Sequence, residues 1–322
     1  MSKRGKSKRS HRCAVFLSVV LCAGLFTGCG DKKAVEISTG STAAEKDVRD
    51  PYDGQSIDEQ PNITETNTPP AEPHQASPEN AVQENVDYSE AFGGLNGCAV
   101  VFDPQEQVCR FYNKTLCETA VSPCSTFKIV SALMGLKYHV LENENSTMGY
   151  DGTHYGNTAW NQDLSLKDAF QSSCVWYFRK VIDQVGQERV KEELTALDYG
   201  NCNISEWAGS GINPGEELNG FWLASSLKIS PYEQVRVLSD IFEGRTGFSP
   251  EHVKIVKNIM SADGGGIYGK TGTGTKGQAW FVGFSESEEK RTYFAVYLED
   301  TDNREQVSSK KAKEIALKII GQ

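Results

Sequence analysis

Several features are missing from this chain of 322 residues. It has no C-x-x-C pair and no Cys/His spacing of the kind that holds a tetrahedral zinc ion, which argues against a metal site. It has no run of the ~20 apolar residues that a helix needs to cross a bilayer. It has no excess of positive charge: the formal net charge is −10, which argues against a nucleic-acid partner. No segment repeats at a fixed period, so the chain is not an array of small units.

What is present begins with a charged leader. Residues 1–12 carry Lys3, Arg4, Lys6, Lys8, Arg9 and Arg12 with no acid, and Cys13 to Thr27 is a short apolar run. A basic stretch before a short apolar one is the pattern of an export signal. It ends in Leu25-Phe26-Thr27-Gly28-Cys29, which resembles a bacterial lipoprotein signal. That resemblance implies cleavage after residue 28, a lipid on the Cys29 sulfur, and attachment at the extracytoplasmic face of the cell membrane. A plain secretory signal or an uncleaved anchor would export the domain equally. Loss of residues 1–28 moves the net charge from −10 to −16.

Residues 29–86 read as an acidic tether. The stretch 30–86 holds six of the eleven prolines and twelve acids against four bases, with only scattered apolar residues. Such composition buries too little surface to offset the entropy of ordering. Half of the mature charge therefore belongs to the tether. From about Asp87 to the end at 322 the composition is that of one globular domain. Cys98–Phe102 and Val108–Tyr112 read as strands around a turn. Ile267–Thr271, Ala279–Phe284 and Thr292–Leu298 read as strands near the other end. Helical patterns fill Leu164–Val185, Gln187–Leu197, Ser230–Phe242 and Lys310–Ile320. The expectation is an α+β domain whose terminal strands share one antiparallel sheet, with flanking helices and a mostly helical second lobe.

The chemistry starts at Pro123-Cys124-Ser125-Thr126-Phe127-Lys128, followed by an apolar run to Leu136. A helix apolar on every side is buried. Ser125 and Lys128, three residues apart, share a face, so Oγ and Nζ can meet. In an apolar shell the ammonium is poorly solvated, and the amine becomes a base. Serine needs such a neighbour, because its hydroxyl alone is a weak nucleophile. A chance S-x-x-K on a surface helix is the alternative, and context decides. The later Lys270-Thr271-Gly272 places a cation and a hydroxyl side by side on a strand, as a substrate carboxylate would require. S-x-x-K with a second serine and a K-T-G is the set of penicillin-recognising serine enzymes.

Six motifs in order then resemble one family closely. Pro123–Lys128, Ser173-Cys174-Val175, Tyr199-Gly200-Asn201, Phe221-Trp222-Leu223, Lys270–Gly272 and Trp280-Phe281-Val282-Gly283 are similar to the motifs of class D serine β-lactamases. Ser226–Ser230 and Glu233–Val235 also resemble that family's text. The resemblance covers about residues 95–320. It implies Ser125 as the acylated nucleophile and Lys128 as general base, N-carboxylated by CO₂. It implies Ser173 as proton relay and Trp222 as the indole donor that holds the carbamate. Val175 and Leu223 would form an apolar lid. Lys270 and Thr271 would face the substrate carboxylate, with Gly272 between them and Thr273. The N–H groups of Ser125 and Thr273 would form the oxyanion hole.

The chain also departs from that pattern. Many members place an arginine after the last strand; here the region reads Gln306-Val307-Ser308-Ser309-Lys310-Lys311, so a hydroxyl or a lysine would substitute. About ten extra residues, Glu206–Gly215, lengthen one loop. A second Tyr-Gly-Asn at Tyr155–Asn157 falls before Ser173, out of order, and reads as loop chemistry. Cys98, Cys109, Cys117, Cys124, Cys174 and Cys202 are expected as buried thiols, with Cys98 and Cys109 as a possible diagonal pair on the hairpin. A class A enzyme or a D,D-peptidase would show Ser-x-Asn where Val175 stands. The β-lactam-sensing domain of membrane receptors shares these motifs and stays acylated. It is the main alternative to a hydrolase.

Overall fold

The computed structural model describes residues 76–322, apart from 263, 276, 289, 301, 303 and 322 and the side chain of residue 304. The leader, Cys29 and most of the tether lie outside these residues. In chain order the described residues form β1 (Val82–Asn85), α1 (Ser89–Phe92), β2 (Gly97–Asp103), β3 (Val108–Tyr112), α2 (Lys114–Cys117), a 3₁₀ turn (Cys124–Phe127), α3 (Lys128–Lys137), α4 (Leu166–Gln171), α5 (Val175–Val185), α6 (Gln187–Ala196), α7 (Pro231–Phe242), α8 (Pro250–Met260), β4 (Ser261–Ala262), β5 (Ile267–Thr273), β6 (Gln278–Glu286), β7 (Arg291–Glu299) and α9 (Ser309–Ile320). The fold is α+β, as the sequence implies. N- and C-terminal strands share one sheet in the order β1-β3-β2-β7-β6-β5-β4.

Every residue of β2 is buried, because both faces of the sheet are covered. Cys98, Val100 and Phe102 turn to the core shared with the helical lobe, where Trp280, Val282, Tyr293 and Tyr297 also lie. Ala99 and Val101 turn to the other side with Phe281, Phe294 and Val296. There Ala312, Ile315, Ala316 and Ile319 of α9 recur at helical spacing and close the second layer. The edge strand β1 falls at the end of the stretch read as tether. It is exposed at all four positions and pairs in parallel with β3. Backbone hydrogen bonds and exposed polar contacts, Lys114 to Gln83 at 2.7 Å and Arg110 to Glu84 at 3.3 Å, hold it, so it carries no apolar alternation a sequence reading can see.

The hairpin register corrects one expectation. Cys109 stands opposite Phe102, well along β2 from Cys98, so the two are not diagonal neighbours. Cys117 Sγ donates to the Ala99 carbonyl at 3.3 Å and the Tyr112 carbonyl at 3.2 Å, and all six cysteines of the domain are free thiols, five buried and Cys202 half-buried. The helical lobe is built on α3, whose residues Lys128 to Leu136 are all buried. Its Gly135 meets α5, where an added Cβ would come within 2.9 Å of Val181. That close approach fixes α3 against the helix that follows Ser173.

Candidate active site

Ser125 and Lys128 are brought together by a 3₁₀ turn, not by the α-helix itself. The turn covers Cys124–Phe127, and α3 begins at Lys128. Residues i and i+3 eclipse in a 3₁₀ turn, which aligns the two side chains. Lys128 Nζ donates to Ser125 Oγ at 2.9 Å. Ser125 is half-buried, whereas Lys128 is 0% exposed. Burial is the main cause that lowers the lysine to about 8 from an ordinary 10.5, so the neutral amine is accessible near neutral pH. The flanking thiols Cys124 and Cys174 are pushed the other way by burial, Cys174 to about 11. They remain protonated and uncharged.

The turn is fastened from two sides. Cys124 N–H donates to the Trp222 carbonyl at 3.0 Å, and Ser122 Oγ donates to that carbonyl at 2.8 Å. Trp280 Nε1–H donates to the Ser122 carbonyl at 3.1 Å. Trp222 itself is 0% exposed and packs on Phe127, with ring centroids 5.6 Å apart. Its indole N–H is buried without a hydrogen-bond acceptor. An unpaired buried donor is costly. Val175, the first residue of α5, and Leu223 are both half-buried.

Ser173 sits in the bend between α4 and α5 with φ +59, a left-handed conformation that is strained for a side-chain-bearing residue. Trp160 Nε1–H holds this bend by donating to the Ser172 carbonyl at 3.0 Å. Lys270 Nζ reaches Ser173 Oγ at 3.0 Å and also lies 3.4 Å from Thr271 Oγ1. Lys270 is 3% exposed; burial, then the nearby Lys128 charge, holds it well below the ordinary lysine value.

Strand β5 offers a second N–H to the site. Gly274 N–H donates to the Gln278 carbonyl, and β5 and β6 are antiparallel with Gly272 opposite Trp280. Ladder bonds alternate in such a pair. Gly274, Gly272 and Lys270 therefore bond to β6, while the Thr273 N–H faces away from it. The edge partner β4 stops at Tyr268, which leaves Thr273 open to the site. Ser125 stands in the first turn of its 3₁₀ helix, where an N–H lacks an intrahelical partner. Two backbone donors on separate elements thus border the nucleophile.

A cavity of about 380 Å³ runs along β5, lined by Phe170, Met260, Ser261, Lys270, Thr271 and Lys313 among others. Two of the substitutes expected between 306 and 311, Ser308 and Lys311, have other partners, and Lys310 is exposed. Ser308 caps α9 by accepting from Lys311 N–H, and Lys311 pairs with Glu314 at 3.7 Å. The cation that shares the cavity with Lys270 and Thr271 is Lys313, which the sequence reading did not single out. No local motif marks it, because only the packing of α9 against β5 brings it there.

The remaining motifs are structural. Asn201 accepts from Lys228 N–H and donates to the Ser226 carbonyl, which ties Tyr-Gly-Asn to the Ser226–Ser230 stretch. The out-of-order Asn157 caps a turn by accepting from Ala159 N–H. In the lengthened loop Trp207 stacks on Phe221 and bonds to Asp183, and its carbonyl accepts from Arg179. Among the described residues no group of three His, Cys, Asp or Glu is placed to hold a metal ion. No helix among them is long and apolar enough to cross a membrane.

Comparison with known proteins gives the family. Residues 97–321 match the family profile of the penicillin binding protein transpeptidase domain. The chain is 34% identical over 246 residues to the probable β-lactamase YbxI of Bacillus subtilis, covering 75% of this chain and 85% of that protein. It is 32% identical over 246 residues to the regulatory protein BlaR1 of Bacillus licheniformis, covering 74% of this chain but 39% of the relative. The chain thus spans about two fifths of that relative's length. A crystal structure of a class D β-lactamase from Bacillus subtilis superposes with a TM-score of 0.65 at 33% identity, over 73% of this chain and 94% of that one. The chain belongs to the penicillin-binding transpeptidase family, in the branch that holds the class D β-lactamases and the BlaR sensor domain.

Proposed function

We propose that this protein hydrolyses β-lactam antibiotics through an acyl ester on Ser125. The observation that carries the reading is the contact between a fully buried, weakly basic Lys128 and Ser125 Oγ at 2.9 Å. Lys128 takes the hydroxyl proton as Oγ attacks the lactam carbonyl carbon. The N–H groups of Ser125 and Thr273 receive the developing oxyanion. The C–N bond then breaks, and Ser173 passes a proton to the departing nitrogen. Lys270, Thr271 and Lys313 hold the substrate carboxylate in the cavity along β5.

CO₂ fits this site as a modifier of Lys128. A carboxylated lysine would supply a base that stays beside the ester and activates water. The buried Trp222 N–H, which has no acceptor, would donate to it, and Ser173 is the other hydroxyl at hand. Val175 and Leu223 would shield it from bulk water. The leader supports export, with Cys29 as the lipid-bearing residue and residues 29–86 as tether to the domain. No nucleic-acid or metal partner enters the reading.

The similarity to BlaR1 favours a second reading, in which Ser125 acylates and the ester persists as a signal. A chromogenic cephalosporin assay with and without bicarbonate separates them. Continued turnover that bicarbonate raises supports the hydrolase. A single stoichiometric burst in saturating bicarbonate assigns the sensor. No adduct on Ser125 rejects both. Labelled palmitate incorporation, lost on Cys29→Ala, tests the anchor, and equal release of both forms to the medium overturns it.

A further inference from the structure

Two motifs left without a chemical role, Tyr-Gly-Asn and Glu233-Gln234-Val235, meet at one buried residue behind the nucleophile. Gln234 Nε2–H donates to Thr126 Oγ1 at 2.8 Å, and Thr126 Oγ1 donates to the Pro123 carbonyl at 2.7 Å. Thr126 is 1% and Gln234 3% exposed. A threonine hydroxyl has one proton and two lone pairs. Its proton is committed to Pro123 and one lone pair to Gln234, so its orientation is fixed. The Tyr199 hydroxyl lies beside both side chains, buried, with no hydrogen bond of normal geometry. Gln234 is held in turn, because Ser230 and Glu233 form a capping box that sets the start of α7.

The other face of Thr126 touches β5. A Cβ added at Gly272 would meet Thr126 Cγ2 at 3.2 Å, so the methyl rests against that glycine. The residue before Thr126 is Ser125, and the residue after Gly272 is Thr273. The two proposed oxyanion donors therefore flank one contact, Thr126 against Gly272.

We infer that Thr126 is a positioning residue that sets the spacing of the two oxyanion N–H groups, held in place by Gln234. The inference rests on the acyl-enzyme reading above. It separates two duties: the methyl spaces the turn from β5, and the hydroxyl stops the turn from rotating. An oxyanion is sensitive to such spacing, because one lost donor costs about 10²–10³ in rate. A donor displaced but not lost should cost less, about 10- to 100-fold. The effect belongs to the transition state, so it should fall on the acylation rate constant and not on substrate binding.

The test uses the purified full chain with four variants: Thr126→Val, Thr126→Ser, Gln234→Leu and Gln234→Glu. Acylation rate and substrate dissociation constant are measured separately by rapid-mixing mass spectrometry with a penicillin. Affinity for phenylboronic acid is measured in parallel, since its tetrahedral serine adduct also places an oxygen between the two donors. Thr126→Val keeps the methyl and loses the hydroxyl. Both Thr126→Val and Gln234→Leu should lower acylation and boronate affinity together by about 10- to 100-fold, with the dissociation constant changed less than threefold. Thr126→Ser should restore part of the rate. Gln234→Glu, which keeps the size and loses the donor, should resemble Gln234→Leu.

Unchanged acylation and boronate affinity in folded Gln234→Leu overturns the proposal. So does a loss carried wholly by the dissociation constant. Where Thr126→Val does not fold, Gln234→Leu carries the test, because it leaves Thr126 in place. Failure of the underlying reading looks different: the wild type itself then forms no penicillin adduct. Boronate binding to the serine still reports the spacing in that case.

Discussion

Lys270 donates to Ser173 Oγ at 3.0 Å. As an ammonium Lys270 has only donors, so Ser173 then accepts in this contact and its own proton remains free for another partner. Lys128, bonded to Ser125, lowers Lys270 further through like charge. The pair of buried lysines thus favours one ammonium and one amine over two ammonium groups. That division suits a site in which one lysine receives a proton while the other attracts an anion.

The carboxylate grip follows from this arrangement. Lys270→Ala should raise KM and lower kcat/KM by about 100-fold, the scale of a charge-assisted hydrogen-bond pair. Lys313→Ala should cost about tenfold, because Lys313 is only half-buried and solvent screens it. Steady-state kinetics on a penicillin and its methyl ester checks both. The ester should lose most of the dependence on either lysine. A change under threefold in both variants would move the anchor elsewhere.

Stability should depend on pH through Lys128. The unfolded chain keeps this lysine protonated up to about 10.5, the folded chain only to about 8. Between these values the unfolded state binds more protons, so stability rises with pH across that window. Below about 8 the cost of burying the charge is fully present. Lys128→Met should therefore stabilise the protein at pH 7 by ~2–3 kcal/mol and flatten the slope between 8 and 10.5. Urea denaturation in CO₂-free buffer measures both. An unchanged slope would show that another group controls it.

The strands and the outer helices were legible because their burial is periodic. β3 occupies Val108–Tyr112 as read, and α9 repeats Ala312, Ile315, Ala316 and Ile319 on one face. The S-x-x-K and K-T-G motifs were legible because three-residue spacing and strand register are local properties. α8 carries no motif, although Ser249 and Pro250 mark its start; of its five apolar residues only Val256, Ile259 and Met260 are buried. Lys313 and the Gln234–Thr126 bond could not be read, since each joins segments more than 40 residues apart through the packing of the sheet. Strain was equally silent: Cys124, Ser173 and Ala224 have φ of +50, +59 and +49, and nothing in their side chains announces it.

That strain gives a stability prediction. Non-glycine residues pay about 1–2 kcal/mol in the left-handed region, and glycine adds about 0.5–1 kcal/mol of unfolded-state entropy. Ala224→Gly should then stabilise the protein by ~0.5–1 kcal/mol. Ala224 also holds its loop to the nucleophile turn, because its N–H donates to Ser122 Oγ at 2.9 Å. The midpoint of urea unfolding should rise without change in slope. A fall would mean that the left-handed bend is relieved by neighbours and not strained.

The choice between hydrolase and sensor turns on Trp222. Its N–H is buried and lacks an acceptor, beside a turn that also carries a neutral-leaning lysine. A carbamate on that lysine would be an anion in an apolar shell, and it persists only where donors hold it. Remove the indole and Lys128 still has an amine that can take the Ser125 proton, so acylation survives. The base that activates water for deacylation does not. Trp222→Ala should therefore acylate stoichiometrically while turnover falls by at least about 100-fold, the scale of a lost general base. Wild-type activity should decline at acid pH, where carbamate loses CO₂, and recover on adding bicarbonate. Intact-protein mass after brief penicillin exposure reads the outcome: a transient adduct in the wild type and a lasting one in Trp222→Ala. A wild-type adduct that lasts for hours in saturating bicarbonate would make this domain a receptor for β-lactams, with Trp222 serving to pack the turn and nothing more.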